Sequence, residues 1–393
     1  MNYFSSNFKL GILGGGQLGK MMLYETRKMD IFTMVMDPSG EAPSKLGSNA
    51  FVQGDLMDFD TVYNFGKEVD LLTIEIENVN LDALERLEDE GIKVYPPSKT
   101  LRIIQNKAVQ KLFYTDNDIP TAPFHRFAHS SEIRDSIHNG GMQFPLVWKA
   151  AQFGYDGQGV KVLKSEKDLE DLPNSACIVE EMVPFKKELA VIVARNPSGE
   201  VVNYPVVEME FHPEANQVEY VICPARIDTK IAQKAIDTAL KVSQKMQHIG
   251  ILAVEMFQTQ EDAILVNEVA PRPHNSGHYS IEASYTNQFE QHIRAILDLP
   301  LGSTKSKVSG VMVNLVGAEG HHGDVIYRNI EQIMAMPGVT PHIYGKKQTR
   351  PFRKMGHVTI INEEMAFARA IAEKVKNTIK VVSEQKIAGQ WEK

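Results

Sequence analysis

The sequence predicts an α/β unit followed by α+β units, on three observations. From Lys9 to Tyr95 strand-like apolar runs alternate with helix-like stretches. From "FPLVWKA" onward short strands follow one another through turn residues, and Pro96-Pro97 and "IPTAP" punctuate the passage between. Strands alternating with helices imply a parallel doubly wound sheet, whereas consecutive strands imply antiparallel pairing. The predicted divisions are residues 1–100, 101–305 and 306–393.

In the first unit "KLGILG" reads as a strand, "GKMMLYETRKM" as a helix and "IFTMVMD" as a second strand. "FVQGD", the helix "MDFDTVYNFGKEV", the strand "DLLTIEI", the helix "LDALERLEDEG" and the strand "IKVYP" complete it. A single helix is expected over "SKTLRIIQNKAVQKLFYTDND". Beyond it come the strands "VKVLK", "ACIVEEMV", "ELAVIVAR", "VVNYPVVEME" and "VEYVICPA", then the amphipathic helix "TKIAQKAIDTALKVSQKM". "GILAVEMF" and "ILVNEVA" flank "QTQEDA" as a hairpin. The last unit is strand-rich from "SGVMVNLVG" to "MGHVTIINE" and ends in the helix "EEMAFARAIAEKVKNTI".

Composition narrows the function classes. With 393 residues, 43% hydrophobic and 23% charged, the chain reads as globular. A net charge of −8 lacks the basic face that nucleic-acid binding needs, although a few local cations suffice for small phosphate ligands. Cys177 and Cys223 form no C-x-x-C motif and read as small buried residues in a reducing compartment. No apolar run has the length of a membrane span, so a cytoplasmic protein is expected.

Five motifs point to chemistry. Gly14, Gly16 and Gly19 satisfy G-x-G-x-x-G, and Asp37 ends the second strand where a ribose-binding acid of a dinucleotide site lies. Lys149 ends an apolar strand before a loop with Gly154, Gly157 and Gly159, which fits a phosphate cradle and a hairpin turn equally. In the third, a turn at Glu261-Asp262 sets Glu255 and Glu268 directly across the hairpin, about 5 Å apart. Two carboxylates on a partly buried face repel, and a divalent cation turns repulsion into ligation. Oxygen ligands of this kind suit magnesium completed by nucleotide phosphates. A slipped register, or a lysine between the two, removes that need. Next, two prolines hold Arg272, His274, Asn275 and Ser276 in one short polar loop. Finally, "YGKKQTRPFRKMGH" gathers five cations, as a solvated face or an anion pocket.

Together these residues resemble the ATP-grasp carboxylases of purine biosynthesis, the 5-(carboxyamino)imidazole ribonucleotide synthetases. "GILGGGQLG", "EIENV", "FGYDGQG", "EEMVPFKKELAVIVAR", "NEVAPRPHNSGH" and "RPFRKMGH" occur in that family's order, over nearly the whole chain. The resemblance implies an ATP-grasp fold with a Rossmann-like pre-ATP-grasp domain and a C-terminal β-rich domain. In such a fold Asp37 becomes an ordinary strand-end residue. It also implies ATP with Mg2+ as cofactor, bicarbonate and 5-aminoimidazole ribonucleotide as further substrates, and a homodimer.

By the same resemblance Lys107 and Lys149 would hold ATP phosphates, with Gly154, Gly157 and Gly159 closing over them in a mobile lid of about residues 125–183. Glu180, Glu181 and Val183 would form the hinge that meets adenine, Glu188 would take the ribose hydroxyls, and His212 would stand near the triphosphate. Glu255 and Glu268 would ligate magnesium. Arg272, His274 and Asn275, with Tyr155 and Asp156 from the lid, would bind bicarbonate and carboxyphosphate. Glu77, Gln17 and Leu18 would face the aminoimidazole, and Lys346, Arg353 and Lys354 would grip its ribose phosphate.

The chain departs from that family's common pattern at Gln152, Phe153 and Gln158, where basic or glycine residues are usual, so its phosphate loop is less cationic. Two rival activities frame the reading. A formate-dependent glycinamide ribonucleotide transformylase shares many motifs but generally carries an aspartate where Asn275 stands. A dinucleotide-dependent dehydrogenase accounts for "LGGGQLG" and Asp37 but not for the glutamate pair.

Overall fold

Gly14 leaves β1 (Lys9–Leu13) at a φ of +96°, in the left-handed region, and the chain turns at once into α1 (Gln17–Lys28). The computed structural model that gives this geometry describes residues 2–152, 159–212 and 217–384. Next come β2 (Phe32–Asp37), β3 (Ala50–Gln53), α2 (Phe59–Lys67), β4 (Leu71–Ile74), α3 (Leu81–Asp89) and β5 (Lys93–Tyr95). The strands are parallel in the order β3-β2-β1-β4-β5. β1 and β4 are buried on both faces, which is why their sequences are continuous apolar runs. This is the doubly wound sheet the alternation predicts.

The single helix expected after Pro97 is two, α4 (Ser98–Ile104) and α5 (Lys107–Asp116). Asn106 leaves the helical conformation at φ −125° and ψ 109°, and its side chain accepts the N–H groups of Ala108 and Val109. The break puts Lys107 at the start of α5, where its N–H donates to the carbonyl of Ala151 at 2.8 Å.

A small antiparallel lobe follows: β6 (Phe124–Phe127), α6 (Glu132–His138), β7 (Leu146–Ala150), β8 (Val160–Leu163) and β9 (Cys177–Glu181), in the order β6-β9-β7-β8. Of its elements, β6 and α6 are absent from the sequence-based list. Trp148, Leu146, Cys177 and Val179 form its core.

The large lobe contains β10 (Phe185–Arg195), β11 (Val201–Asn203), β12 (Val207–Phe211), β13 (Val218–Cys223), α7 (Thr229–Met246), β14 (Gly250–Thr259) and β15 (Ile264–Ala270). "VVNYPVVEME" is thus two strands rather than one, split where Pro205 has no N–H to give the ladder. On α7, Ile231, Ala235, Ala239 and Val242 recur at helical spacing against the sheet. Two helices, α8 (Ser280–Ala283) and α9 (Gln288–Ile296), lead to β16 (Ser309–Val316). The remainder comprises β17 (Gly323–Arg328), α10 (Ile330–Met334), β18 (Val339–Ile343), β19 (Gln348–Thr349), β20 (Lys354–Asn362), α11 (Met365–Thr378) and β21 (Lys380–Ser383).

The expected division near residue 305 does not interrupt the sheet. Among the described residues one nine-stranded sheet runs β15-β14-β10-β12-β13-β16-β20-β18, with β11 on β10, so the C-terminal strands extend the central ones through β13 and β16. The first unit is joined to it by α9, where buried His292 meets Thr73 Oγ1 at 2.9 Å and accepts the N–H of Ile251 at 3.1 Å. Cys177 and Cys223 are buried and unpaired, as expected. No described helix is long and apolar enough to cross a membrane.

Candidate active site

The hairpin places Glu255 opposite Glu268, as the turn arithmetic predicts, but by another route. Gln258 pairs with Ile264 and Met256 with Val266, which centres the turn on Glu261. A bulge then adds Asn267 to β15 and brings Glu268 into line with Glu255. The extra residue is used: Lys149 Nζ donates to Asn267 Oδ1 at 2.9 Å.

The two carboxylates differ sharply in environment. Lys107 Nζ lies 2.8 Å from Glu268 Oε2 and holds that carboxyl well below the usual range. Burial, then the charges of Glu268 and Glu188, push Glu255 up. Lys107 thus touches Glu268 directly and reaches Glu255 through its charge alone. Burial also raises Glu188, on β10, to about 7. Among the described residues no three acidic, histidine or cysteine side chains converge to hold an ion. Glu255 and Glu268 fit a hard cation whose remaining ligands come from a phosphate chain and water.

Cations cluster beside this pair. Lys149, at the end of β7, is 2.7 Å from Glu180 Oε2, and Lys111 is 2.6 Å from Glu180 Oε1. Burial lowers Lys111 to about 8 despite its partner. Burial also opposes the charge on Lys107, yet Glu268 with Glu180 and Glu255 holds that lysine above its ordinary value. Glu180 is raised by burial but brought below the usual range by Lys149 and Lys111. Lys111 is absent from the sequence-derived set, although its place four residues after Lys107 on one helix face was a usable signal.

From the Glu255 side the site continues into the loop after β15. His274 Nδ1 accepts the N–H of Ser276 at 3.3 Å and meets Ser276 Oγ at 2.9 Å. With Nδ1 accepting, the Nε2 proton faces Glu255 Oε1 at 3.4 Å. Gln288 grips the His274 backbone on both sides, accepting its N–H at 2.9 Å and donating to its carbonyl at 2.8 Å. Gly277 is required there, since a Cβ would lie 2.3 Å from Gln288 Oε1. Arg272 Nε pairs with Glu77 Oε2 at 2.9 Å, joining the end of the first sheet to this loop. The Asn275 amide pairs with that of Asn314 on β16.

The glycine turn behind Glu77 holds a carboxylate of the protein itself. Glu75 accepts the N–H groups of Gly16, Leu18 and Gly19, and Asp37 accepts that of Gly15 at 2.7 Å. A Cβ on Gly14 or Gly16 would meet Glu75 at 2.4 or 2.5 Å. The glycines thus admit Glu75 to the α1 N-terminus where a pyrophosphate would bind, and the dinucleotide reading is overturned. Asp37 is more than an ordinary strand-end residue, being bound to the turn. Burial raises Glu75 in spite of its three N–H donors.

Other predicted residues are more dispersed. Glu181 is exposed at the end of β9, and Val183 lies in the link to β10. His212 faces the Phe352 ring, with centroids 6.2 Å apart, in a cavity of about 200 Å³ that Asn314 also lines. Lys346 Nζ donates to the Lys354 carbonyl at 2.9 Å, and the Lys354 charge acts on Glu255. Arg353 donates to the Gln348 carbonyl at 2.6 Å. Gln17 starts α1, and Gly159, at φ +80°, accepts the N–H of Ala150. Gly154, Tyr155, Asp156 and Gly157 lie outside the described residues.

Comparison with known proteins matches three family models: a ribonucleotide synthetase preATP-grasp domain over residues 8–105, an ATP-grasp domain over 112–289, and a phosphoribosylaminoimidazole carboxylase C-terminal domain over 310–370. The chain is 37% identical to N5-carboxyaminoimidazole ribonucleotide synthase of Bacillus subtilis, covering 90% of this chain and 91% of that protein. It is also 37% identical to the chloroplastic phosphoribosylaminoimidazole carboxylase of Vigna aconitifolia, over 91% of this chain but only 64% of that longer protein. The N5-carboxyaminoimidazole ribonucleotide synthetase of Thermotoga maritima superposes with a TM-score of 0.88 at 43% identity, covering 96% and 100% of the two chains. The synthase of Aspergillus clavatus, solved with ADP and 5-aminoimidazole ribonucleotide, gives 0.86 at 32% identity over 95% and 98%. With its pre-ATP-grasp, ATP-grasp and C-terminal parts in this order, the chain belongs to the N5-carboxyaminoimidazole ribonucleotide synthetase family of ATP-grasp proteins.

Proposed function

We propose that the protein uses ATP and bicarbonate to carboxylate 5-aminoimidazole ribonucleotide, by way of carboxyphosphate, giving 5-(carboxyamino)imidazole ribonucleotide in de novo purine (IMP) biosynthesis. The observation that carries this reading is the Arg272–Glu77 ion pair. It joins the loop beside the Glu255–Glu268 pair to the strand end of the first sheet, which supports a reading in which phosphoryl transfer and the nucleotide acceptor are neighbours.

In this reading Lys107 and Lys149 neutralise the ATP phosphates, and Glu188 meets the ribose. Glu255 and Glu268 hold magnesium, which when bound shields phosphate charge and orients the phosphoryl group. Arg272, His274 and Asn275 orient bicarbonate so that its oxygen attacks the γ-phosphorus and ADP leaves; positioning and charge stabilisation supply most of such catalysis. Carboxyphosphate then divides into CO2 and phosphate. The exocyclic amine attacks the CO2 carbon, and its proton passes to the departing phosphate or to Glu77. Lys346, Arg353 and Lys354 hold the ribose phosphate. Tyr155, Asp156 and the loop glycines complete the site when the small lobe closes and excludes water. A homodimer acting in the cytoplasm belongs to the same reading. Its supports are the resemblance and two buried, unpaired cysteines.

The test is ADP release with ATP, magnesium and bicarbonate, comparing no acceptor, 5-aminoimidazole ribonucleotide, and glycinamide ribonucleotide with formate. Stimulation by the aminoimidazole alone is expected. Stimulation only by the glycinamide with formate would transfer the reading to the transformylase.

A further inference from the structure

Asn275 and Asn314 form a reciprocal amide pair, in which Nδ2 of each donates to Oδ1 of the other at 2.9 Å. Asn275 stands in the loop after β15, whereas Asn314 is on β16 and only 8% exposed. Such a pair alone does not fix which end of either amide is which, because inverting both keeps both bonds. A third bond removes the ambiguity. Asn314 Nδ2 also donates to the carbonyl of Val218 at 2.7 Å, and a carbonyl only accepts. The Val218 carbonyl thereby orients Asn314, and Asn314 orients Asn275.

We propose that Asn314 is a positioning residue for the carboxylation, dictating which end of the Asn275 amide faces bicarbonate and the carboxyphosphate formed from it. The inference rests on the function proposed above and on the place of Asn275 in it. The pair consumes one Nδ2 hydrogen and one Oδ1 lone pair of Asn275, so the second hydrogen and second lone pair point where Asn314 directs them. Without that partner the amide rotates freely, and half of its orientations present a carbonyl oxygen to an anion. The continuous sheet makes this control possible, because β16 is the strand hydrogen-bonded to β13, which carries Val218.

The test is a double-mutant cycle on the full chain with Asn314→Leu, Asn275→Ala and the double variant. Initial rates of ADP release are measured against bicarbonate and against ATP, and thermal midpoints are recorded for each protein. Expected is a loss of about tenfold in kcat/KM for bicarbonate in Asn314→Leu, with KM for ATP unchanged and a double variant no worse than Asn275→Ala. Asn314→Leu with wild-type bicarbonate kinetics, or a loss that adds in full to that of Asn275→Ala, overturns the role. Should Asn314→Leu not fold, Asn314→Asp replaces it in the cycle, keeping volume and acceptor while losing both donations. A wild-type protein that releases no extra ADP with bicarbonate and the aminoimidazole overturns the proposed function and this role together. That outcome is distinct, because Asn275→Ala then has no activity to reduce.

Discussion

Glu75 accepts the backbone N–H of Gly16 at 2.9 Å, and with the same carboxylate it takes those of Leu18 and Gly19 at 3.1 Å. The positive end of α1 is therefore neutralised from within the protein. Calorimetric titration with NADH or NADPH is expected to give no binding heat. Glu75→Ala leaves three N–H groups without their acceptor and is expected to cost about 1–3 kcal/mol in urea unfolding. Unchanged stability would mean that water replaces the carboxylate.

Arg272 reaches Glu77 through Nε, on the inner edge of a planar group that lysine lacks. Arg272→Lys is expected to keep the fold and to lower kcat/KM for the aminoimidazole by about 10- to 100-fold. Wild-type kinetics in this variant would dissociate the ion pair from acceptor binding.

Glu188 supplies a pH dependence. Its folded pKa, near 7, lies above the ordinary value of 4.5, so the folded protein retains a proton that the unfolded chain has lost. The unfolded state binds fewer protons across that interval, and stability contributed by this group falls as pH rises from about 4.5 through about 7. Above that the loss is complete. Urea midpoints of the wild type minus those of Glu188→Gln should decline over this window and then level off. A flat difference would show that the carboxyl titrates normally.

Glu255 and Glu268 should respond to amide substitution with opposite signs. Burial, and after it the charges of Glu268 and Glu188, disfavours the Glu255 carboxylate, so Glu255→Gln relieves the ligand-free protein and raises its thermal midpoint. Glu268 is the partner of Lys107, so Glu268→Gln lowers the midpoint. Both variants should lose the midpoint rise that magnesium with ADP gives the wild type. A full rise in either variant would remove that residue from the metal site.

The sequence made the glutamate pair legible because strand periodicity and turn position together set the register, and the bulge compensated for a turn centred half a residue away. The alternation from Lys9 to Tyr95 was equally plain. Asn314, Gln288 and Glu75 were not, because each acts by hydrogen-bonding a backbone or amide distant in sequence, and no local pattern marks such a partner. The break between Ile104 and Lys107 was obscured by strong helical composition on both sides, which outweighed the single Asn106 cap. The G-x-G-x-x-G match misled in the opposite way. Its glycines do permit a close negative group, but that group is Glu75.

The nine-stranded sheet also bears on how the chain can be cut. A break near residue 305 would leave β13 as an open edge carrying Tyr220 and Ile222, and would strip β16 and β20 of the strand they build upon. Neither fragment would be a self-sufficient folding unit. Recombination with a relative should therefore place its crossover elsewhere, for instance in the link between β9 and β10, where among the described residues no sheet is divided and a single bridge, Thr121 to Val266, is crossed.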